Sequence, residues 1–559
     1  MFSKKRLSLF LVLAVMVTAL VGCGSDDSDT AKSDGNDSGM DDEQYINLIL
    51  DAEPSTLDPS KGSDMYSNTV LKDVMEPLTR LEEDENQNTE LKPAGAEDWD
   101  VSEDGLVWTF HLRDNNWSDG EPVTAEQYEY GIKRSTNPDT ASPFAFLMSP
   151  IKNADAVVAG DVDVEDLGVK AIDEKTLEIT LEEPTPYFDQ LTYQRVLFAQ
   201  REDVVEEYGD AYGSEGENLV YNGPFVVSDW VHNSEVVLNQ NPEYWDTDSV
   251  NFEEVTYKIM GDKNAIYNSL ANGSVDSAGV ADPDWLDRFS EDEDLDHIEV
   301  VKPSVNFLLY NTQDEMFQNE NIRKAFSLAV DREGVSEVIY NGINPPANSW
   351  VPPTILIGED DFREKVDQEP IITMSEENPD PKELLEKGLE EIGMDKEIKD
   401  LDVTFSIGGT DQWFRTLGEY IQQMYKESLG LEVEIEQLEW PIFDSNVNKG
   451  DFQIGFMAWT ADFNDPATMM TLLTSDSTAI KTGWENDRYD ELVNMADEER
   501  DHEKRLEYYK EAEEIVLEEA PVSPVTFAKS NIFRYKYINK MGVTEFGTQG
   551  SKYGFTDGR

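Results

Sequence analysis

Residues 452–466 read F-Q-I-G-F-M-A-W-T-A-D-F-N-D-P, and the first half predicts a strand covered on both faces. Phe452, Ile454, Phe456 and Ala458 alternate on one side, with Gly455, Met457 and Trp459 on the other. Asn464, Asp465 and Pro466 then end the strand. Asp462 stands between Trp459 and Phe463 just past the strand's carboxyl end, the place where ligands bind in open α/β sheets. An Asp at this point also suits an Asx turn that opens the next segment.

Working outward, residues 401–435 carry a β-α-β pattern. Leu401, Val403, Phe405 and Ile407 alternate before Gly408-Gly409. Trp413, Leu417, Tyr420, Ile421 and Met424 recur at helical spacing, Gly430 stops the helix, and Leu431, Val433 and Ile435 alternate again. Such a unit predicts parallel strands joined by a right-handed crossover, with 452–459 as a neighbour. Alternation also predicts strands over 45–50, 106–112, 177–181, 305–310 and 522–527, and a meander over 221–238. Helices are expected over 68–80, after Thr124, over 322–330, and around Leu506, Tyr509 and Val516. Residues 359–381 are polar and proline-bearing and read as a surface excursion. The style shifts near residue 300, from strand-rich to alternating strand and helix.

A chain of 559 residues exceeds one core, and about two or three domains are expected. Its 118 acidic and 44 basic residues, a formal net charge of −74, are spread over the whole length. That surface repels nucleic acid and anionic lipid, which excludes nucleic-acid binding as the function. Spread acidity of this degree suits high salt, where screening weakens self-repulsion. At the N-terminus, Lys4, Lys5 and Arg6 precede an apolar run over 7–20 that is short for a bilayer span. Leu20-Val21-Gly22-Cys23 comes next and resembles the bacterial lipobox. Residues 1–22 are thus expected to be a signal peptide, with Cys23 the lipidated (palmitate-bearing) mature N-terminus. Gly, Ser, Asp and Asn dominate 24–43, a flexible acidic tether. A single cysteine allows no intrachain disulfide.

Catalytic chemistry is hard to assemble from these residues. His111, His232, His297 and His502 lie far apart without a second ligand at metal spacing, so no zinc or nickel site is expected. There is no G-x-S-x-G elbow, phosphate loop or dinucleotide fingerprint. Asp462 and Asp465 are neighbours, as hydrolase carboxylates are, but acids are so common here that chance accounts for it. The residues speak for binding without a cofactor, not for an enzyme.

Several stretches then resemble one family. They are W-D-V-S-E-D-G-L-V-W-T-F-H-L-R-D (99–114), W-S-D-G-E-P-V-T-A-E (117–126) and T-A-S-P-F-A (140–145). Further matches are Y-N-G-P-F-V-V-S-D-W (221–230), N-P-E-Y-W (241–245), N-I-R-K-A-F-S-L-A-V-D-R (321–332) and W-T-A-D-F-N-D-P (459–466). With the lipobox they are similar to the extracellular oligopeptide-binding lipoproteins of ABC importers, of solute-binding protein family 5. The likeness runs over essentially the whole mature chain. It implies an α/β, periplasmic-binding-protein-like fold of the class with an extra domain, three domains closing on the ligand about a hinge. Domain I would take 44–71, 201–302 and 527–559; domain II, 72–200; domain III, 303–526. It also implies a monomeric receptor on the extracytoplasmic face of the membrane, held there by its lipid. That receptor would pass oligopeptides to permease subunits. A signalling peptide, an oligosaccharide or a metal chelate is the alternative cargo within the same fold.

By the family's motif, Asp462 would pair with a peptide's N-terminal ammonium, because a buried unpaired ion costs several kcal/mol. The peptide main chain would be held as an added strand. Trp459, Thr460, Ala461 and Phe463 would supply main-chain contacts and an aromatic wall, and Trp440 a pocket face. Glu53 would face the ligand, and 305–311, with Tyr310 and Asn311, would line the hinge side. One departure stands out. The basic side chains that answer a short peptide's C-terminal carboxylate in the family correspond here to Trp413, Val447 and Phe456, all uncharged. The ligand's C-terminus is therefore expected to reach solvent or meet another cation, unless the ligand is no short peptide.

Overall fold

The strand expected over 452–459 is present as Ile454–Thr460 in a computed structural model, which describes residues 39–83, 89–366, 368–477, 479–543, 545–546 and 550–559. The expected signal peptide, Cys23 and the tether to residue 38 lie outside the described residues. Ile454–Thr460 belongs to a six-stranded sheet, numbered here in chain order. Its members are β1 Ser277–Val280, β2 Leu295–Tyr310, β3 Thr404–Ile407, β4 Glu434–Gln437, β5 Ile454–Thr460 and β6 Val522–Tyr535. They lie side by side in the order β1-β6-β2-β5-β3-β4. β3 is parallel to β4 and to β5, as the β-α-β pattern predicts, while β2 is antiparallel to β5 and β6. The sheet is mixed.

Side-chain alternation sets which core each residue of β5 enters. Ile454 and Phe456 join Leu308, Phe405, Ile407 and Tyr425 on one face; Met457 joins Phe307 and Phe443 on the other. The ends of the strand depart from expectation. Phe452 precedes β5 and falls in the Met457 core, and Ala458 is exposed. The strand climbs out of the core before it stops.

Three helices position the residues of interest: α1 Met65–Val74, α2 Gln412–Ser428 between β3 and β4, and α3 Trp440–Lys449 between β4 and β5. Leu417, Ile421, Met424 and Tyr425 form the buried stripe of α2. Asp411 caps its start by accepting the Trp413 and Phe414 amides, and Gly430, at φ +74°, turns the chain after its end.

The early part of the chain forms two smaller sheets. Tyr45–Leu50 runs parallel to Glu254–Ile259, which pairs antiparallel with Glu235–Gln240, and Phe225–Val231 completes the four. Ala96–Val101, Val107–Leu112, Thr176–Thr180 and Val169–Asp173 make an antiparallel sheet in that order. Trp108, Phe110 and Leu112 point inward as the alternation predicts. Thr124 caps Ala125–Thr136 through a capping box with Gln127.

Three expectations need correction. The helix expected over 68–80 is α1, which starts earlier at an Asp64 cap and ends before Pro77, a residue without the N–H that a helix needs. The strands expected over 305–310 and 522–527 extend to sixteen and fourteen residues. β5 covers only Ser304–Tyr310 of β2, so the first half of β2 keeps polar residues that break the apolar pattern. The β2–β6 register slips between Val301 and Val305, around Pro303. Finally, 359–381 is no surface excursion. Phe362, Val366, Ile371 and Met374 are buried, on helices Phe362–Lys365 and Pro370–Glu377 or just after them. Their spacing was hidden among acids.

Candidate ligand-binding site

Most polar groups at the exit of β5 are committed. The last strand pair is Ser304 with Thr460, whose hydroxyl donates to Ser304 Oγ at 3.0 Å, and Ala461 N–H donates to the Pro303 carbonyl at 2.8 Å. Asp462 N–H donates to Thr468 Oγ1 at 2.8 Å, and Gln194 Nε2 donates to the Asp462 carbonyl at 2.5 Å. Phe463 stacks on Tyr187, with ring centroids 5.0 Å apart and planes 8° apart. Asn464 Oδ1 accepts the Leu356 amide at 2.9 Å. Asp465 takes both arms of the Arg505 guanidinium at 2.8 and 2.9 Å, deep in the core. That pairing neutralises Asp465 and removes it as a partner acid for Asp462.

One exception is the Asp462 carboxylate. Among the described residues no cation pairs with it, and burial pushes its pKa up to about 6, the Trp459 indole offsetting part of the rise. Trp459 Nε1 lies beside it but outside strict hydrogen-bond geometry and has no other partner among the described residues. Tyr193 Oη is likewise buried without a partner there, and the Asp462 charge helps to hold its pKa far above the ordinary phenol value after burial itself. A desolvated carboxylate flanked by two unsatisfied donors is an arrangement that a cation with N–H donors of its own completes.

Parallel pairing brings more of the expected residues to the same edge. The carboxyl ends of β3, β4 and β5 point one way, so the loops after them leave from one edge of the sheet, where open α/β sheets take ligands. Trp413 sits at the start of α2 after β3 and is 38% exposed; Trp440 opens α3 after β4 and is 49% exposed. Gly408 makes room for Trp440, since a Cβ there would lie 2.7 Å from the indole, and Gln437 Nε2 ties the end of β4 to the Gly409 carbonyl at 3.2 Å. Trp413 leans edge-on against Tyr340, with centroids 5.6 Å apart.

Several expected positions are not at this edge. Tyr310 pairs with Ile454, six residues along β2 from Ser304, which is ~20 Å at ~3.3 Å per residue. It is fully buried and stacked on Phe317 at 5.6 Å, a core residue; Asn311 donates its amide to the Gly450 and Phe452 carbonyls, both at 2.9 Å. The Glu53 carboxylate accepts from Trp230 Nε1 at 2.8 Å and the Asn233 amide at 2.7 Å, and lies 2.7 Å from His232 Nδ1. It fastens its loop to the hairpin of Phe225–Val231 and Glu235–Gln240. Val447 and Phe456, two of the uncharged positions, are buried in the cores, where a lone cation would be costly. Conversely, Tyr187, Tyr193, Gln194 and Arg505 escaped sequence reasoning. The aromatic cluster in Y-F-D-Q-L-T-Y-Q-R (187–195) was a signal without a period to place it.

Residues 90–480 match the family description "Bacterial extracellular solute-binding proteins, family 5 Middle". The chain belongs to that family. This solute-binding protein is 32% identical over 530 residues to the oligopeptide-binding protein OppA of Bacillus subtilis, covering 94% of each chain. It is 33% identical over 511 residues to the dipeptide-binding protein DppE of the same organism, covering 91% of each. Its fold superposes on Listeria monocytogenes OppA bound to peptide with a TM-score of 0.74 at 27% identity, over 92% of this chain and 99% of the other. The α/β architecture is therefore that of the family's binding proteins, and the protein is a receptor, not an enzyme.

Proposed function

We propose that this receptor captures oligopeptides outside the cytoplasm and delivers them to the permease subunits of an ABC importer, tethered by a lipid on Cys23. The names of its relatives, for oligopeptides and dipeptides, support the ligand class. The observation that carries the reading is the Asp462 carboxylate, desolvated and unpaired between Trp459 and Tyr193 among the described residues. A peptide's α-ammonium supplies the missing charge and donors. Trp413, Trp440 and Phe463 form the aromatic surround, and the open carboxyl edge of β3 and β4 leaves room for main chain. Such a site reads where a peptide begins and tolerates varied side chains.

A division into three domains, with boundaries near residues 71, 200, 302 and 526, belongs to the same proposal. In support, β2 and β6 run from the β3–β5 part of the sheet to β1, and their register slips near Pro303, close to the proposed boundary at 302. Isothermal titration with free and N-acetylated peptides tests the site. Free peptides bind and acetylated ones lose at least about tenfold; equal affinity for both refutes the role of Asp462. Native mass spectrometry of protein purified without denaturation tests the ligand class, a peptide mixture giving a ladder of masses.

A further inference from the structure

The turn that holds Asp462 leads directly to a second charge with no counterion among the described residues. Tyr193, Gln194 and Arg195 are consecutive. The Tyr193 hydroxyl feels the Asp462 charge, Gln194 Nε2 holds the Asp462 carbonyl, and Arg195 reaches towards α1. On α1, the Lys72 ammonium lies 6.0 Å from the centroid of the Tyr193 ring. Arg195 is buried, packs over the Phe144 ring at 4.6 Å, and donates to the Asp64 backbone carbonyl at 3.3 Å. The Asp64 carboxylate is already taken by Ser55 and Ser67. Arg80, the third cation nearby, is neutralised by Glu76.

The Arg195 charge thus bears on Lys72, and among the described residues no carboxylate is in ion-pair contact with either. Burial and the charges of Arg195 and Arg80 pull the Lys72 ammonium down to about 7, and burial pulls Arg195 down to about 10. In a chain with 118 acids and 44 bases this is anomalous, because a random neighbour would be an acid. A desolvated ammonium beside another cation either sheds its proton or takes an anion as its partner, and a bound anion restores its charge.

We infer that Lys72, with Arg195 behind it, receives a carboxylate of the ligand whose ammonium sits on Asp462, across the Tyr193 ring. The inference rests on the ammonium reading of Asp462. The Lys72 ammonium is 6.0 Å from the centroid of a ring whose hydroxyl feels the Asp462 charge, and an extended peptide advances ~3.3 Å per residue, so the inference takes the carboxylate to lie two or three residues from the ammonium. Lys72 thus supplies, from a different part of the fold, the cation that Trp413, Val447 and Phe456 do not. The carboxylate has two sources: the C-terminus of a di- or tripeptide, or an acidic side chain near the start of a longer one.

Isothermal titration of the full chain separates these arms. The probes are Ala-Ala-Ala, its C-terminal amide and its N-acetyl form, and the amides of Ala-Glu-Ala and Ala-Gln-Ala. The wild type is expected to prefer Ala-Ala-Ala to its amide, or the Glu amide to the Gln amide, by tenfold or more. The first preference identifies the C-terminus and the second a side chain. Lys72→Met abolishes the preference while leaving the loss on N-acetylation intact, and Lys72→Arg restores it. A wild type that ignores amidation and the Glu–Gln exchange overturns the inference, and if acetylation still weakens binding, the Asp462 reading survives alone. A Lys72→Met protein that keeps the full preference also overturns it. Sensitivity to amidation without sensitivity to acetylation refutes the Asp462 reading and overturns the inference that rests on it. Failure of the wild type to bind any probe overturns both.

Discussion

Asp462 lowers the stability of the empty receptor. Its folded pKa of about 6 lies above the ordinary 3.8, so the folded state holds the extra proton. Stability therefore falls as pH rises from about 4 to about 6, and the whole penalty is present above that window. Asp462→Asn is expected to melt higher than the wild type at neutral pH, with the gap closing near pH 4, as scanning calorimetry reads directly. The same variant loses recognition of the ammonium, by about 2–5 kcal/mol for a buried charge partner removed. Wild-type affinity for a free peptide falls about tenfold per pH unit below pH ~6, because the ligand needs the ionised form. Titration calorimetry across that range checks the slope.

At the scale of elements, the exit of β5 is rigid because its neighbours fasten it. Helix His502–Glu519 brings Arg505, almost wholly buried, to clamp Asp465, and the Tyr187 ring backs Phe463. Arg505→Met strands a buried carboxylate and is expected to destabilise the fold by about 3–5 kcal/mol in denaturant melts. β5 itself was legible, since its alternation maps onto two cores at Ile454, Phe456 and Met457. So was the β3-α2-β4 unit, whose apolar stripe and Gly430 stop are local signals. The long halves of β2 and β6 were not, because exposed strand residues carry no apolar period. Tyr310 was misplaced for a related reason. Pattern shows that a strand residue is buried but not which end of the strand meets the site.

For the whole molecule, a net charge of −74 repels itself, and salt screens that repulsion. Tm is expected to rise steadily from low salt to about 1 M NaCl, at fixed pH; a flat response contradicts a destabilising surface field. Cys23→Ser is expected to release the protein from cells into the medium, read by fractionation. Retention on the membrane contradicts the anchor.

The sequence by itself determined the family, the α/β sheet and the strand that leads to Asp462, because these rest on local period and local motif. The tertiary structure alone decided which groups surround the acid. Tyr193 and Gln194 lie more than 260 positions away, Arg505 binds Asp465 across 40, and Lys72 joins only through Tyr193. Whether a charge is paired depends on contacts between distant segments, and no window of sequence holds both partners. Asp462 and Lys72 look like any other charge in a highly charged chain until the fold sets each among its neighbours, none of which, among the described residues, is a counterion.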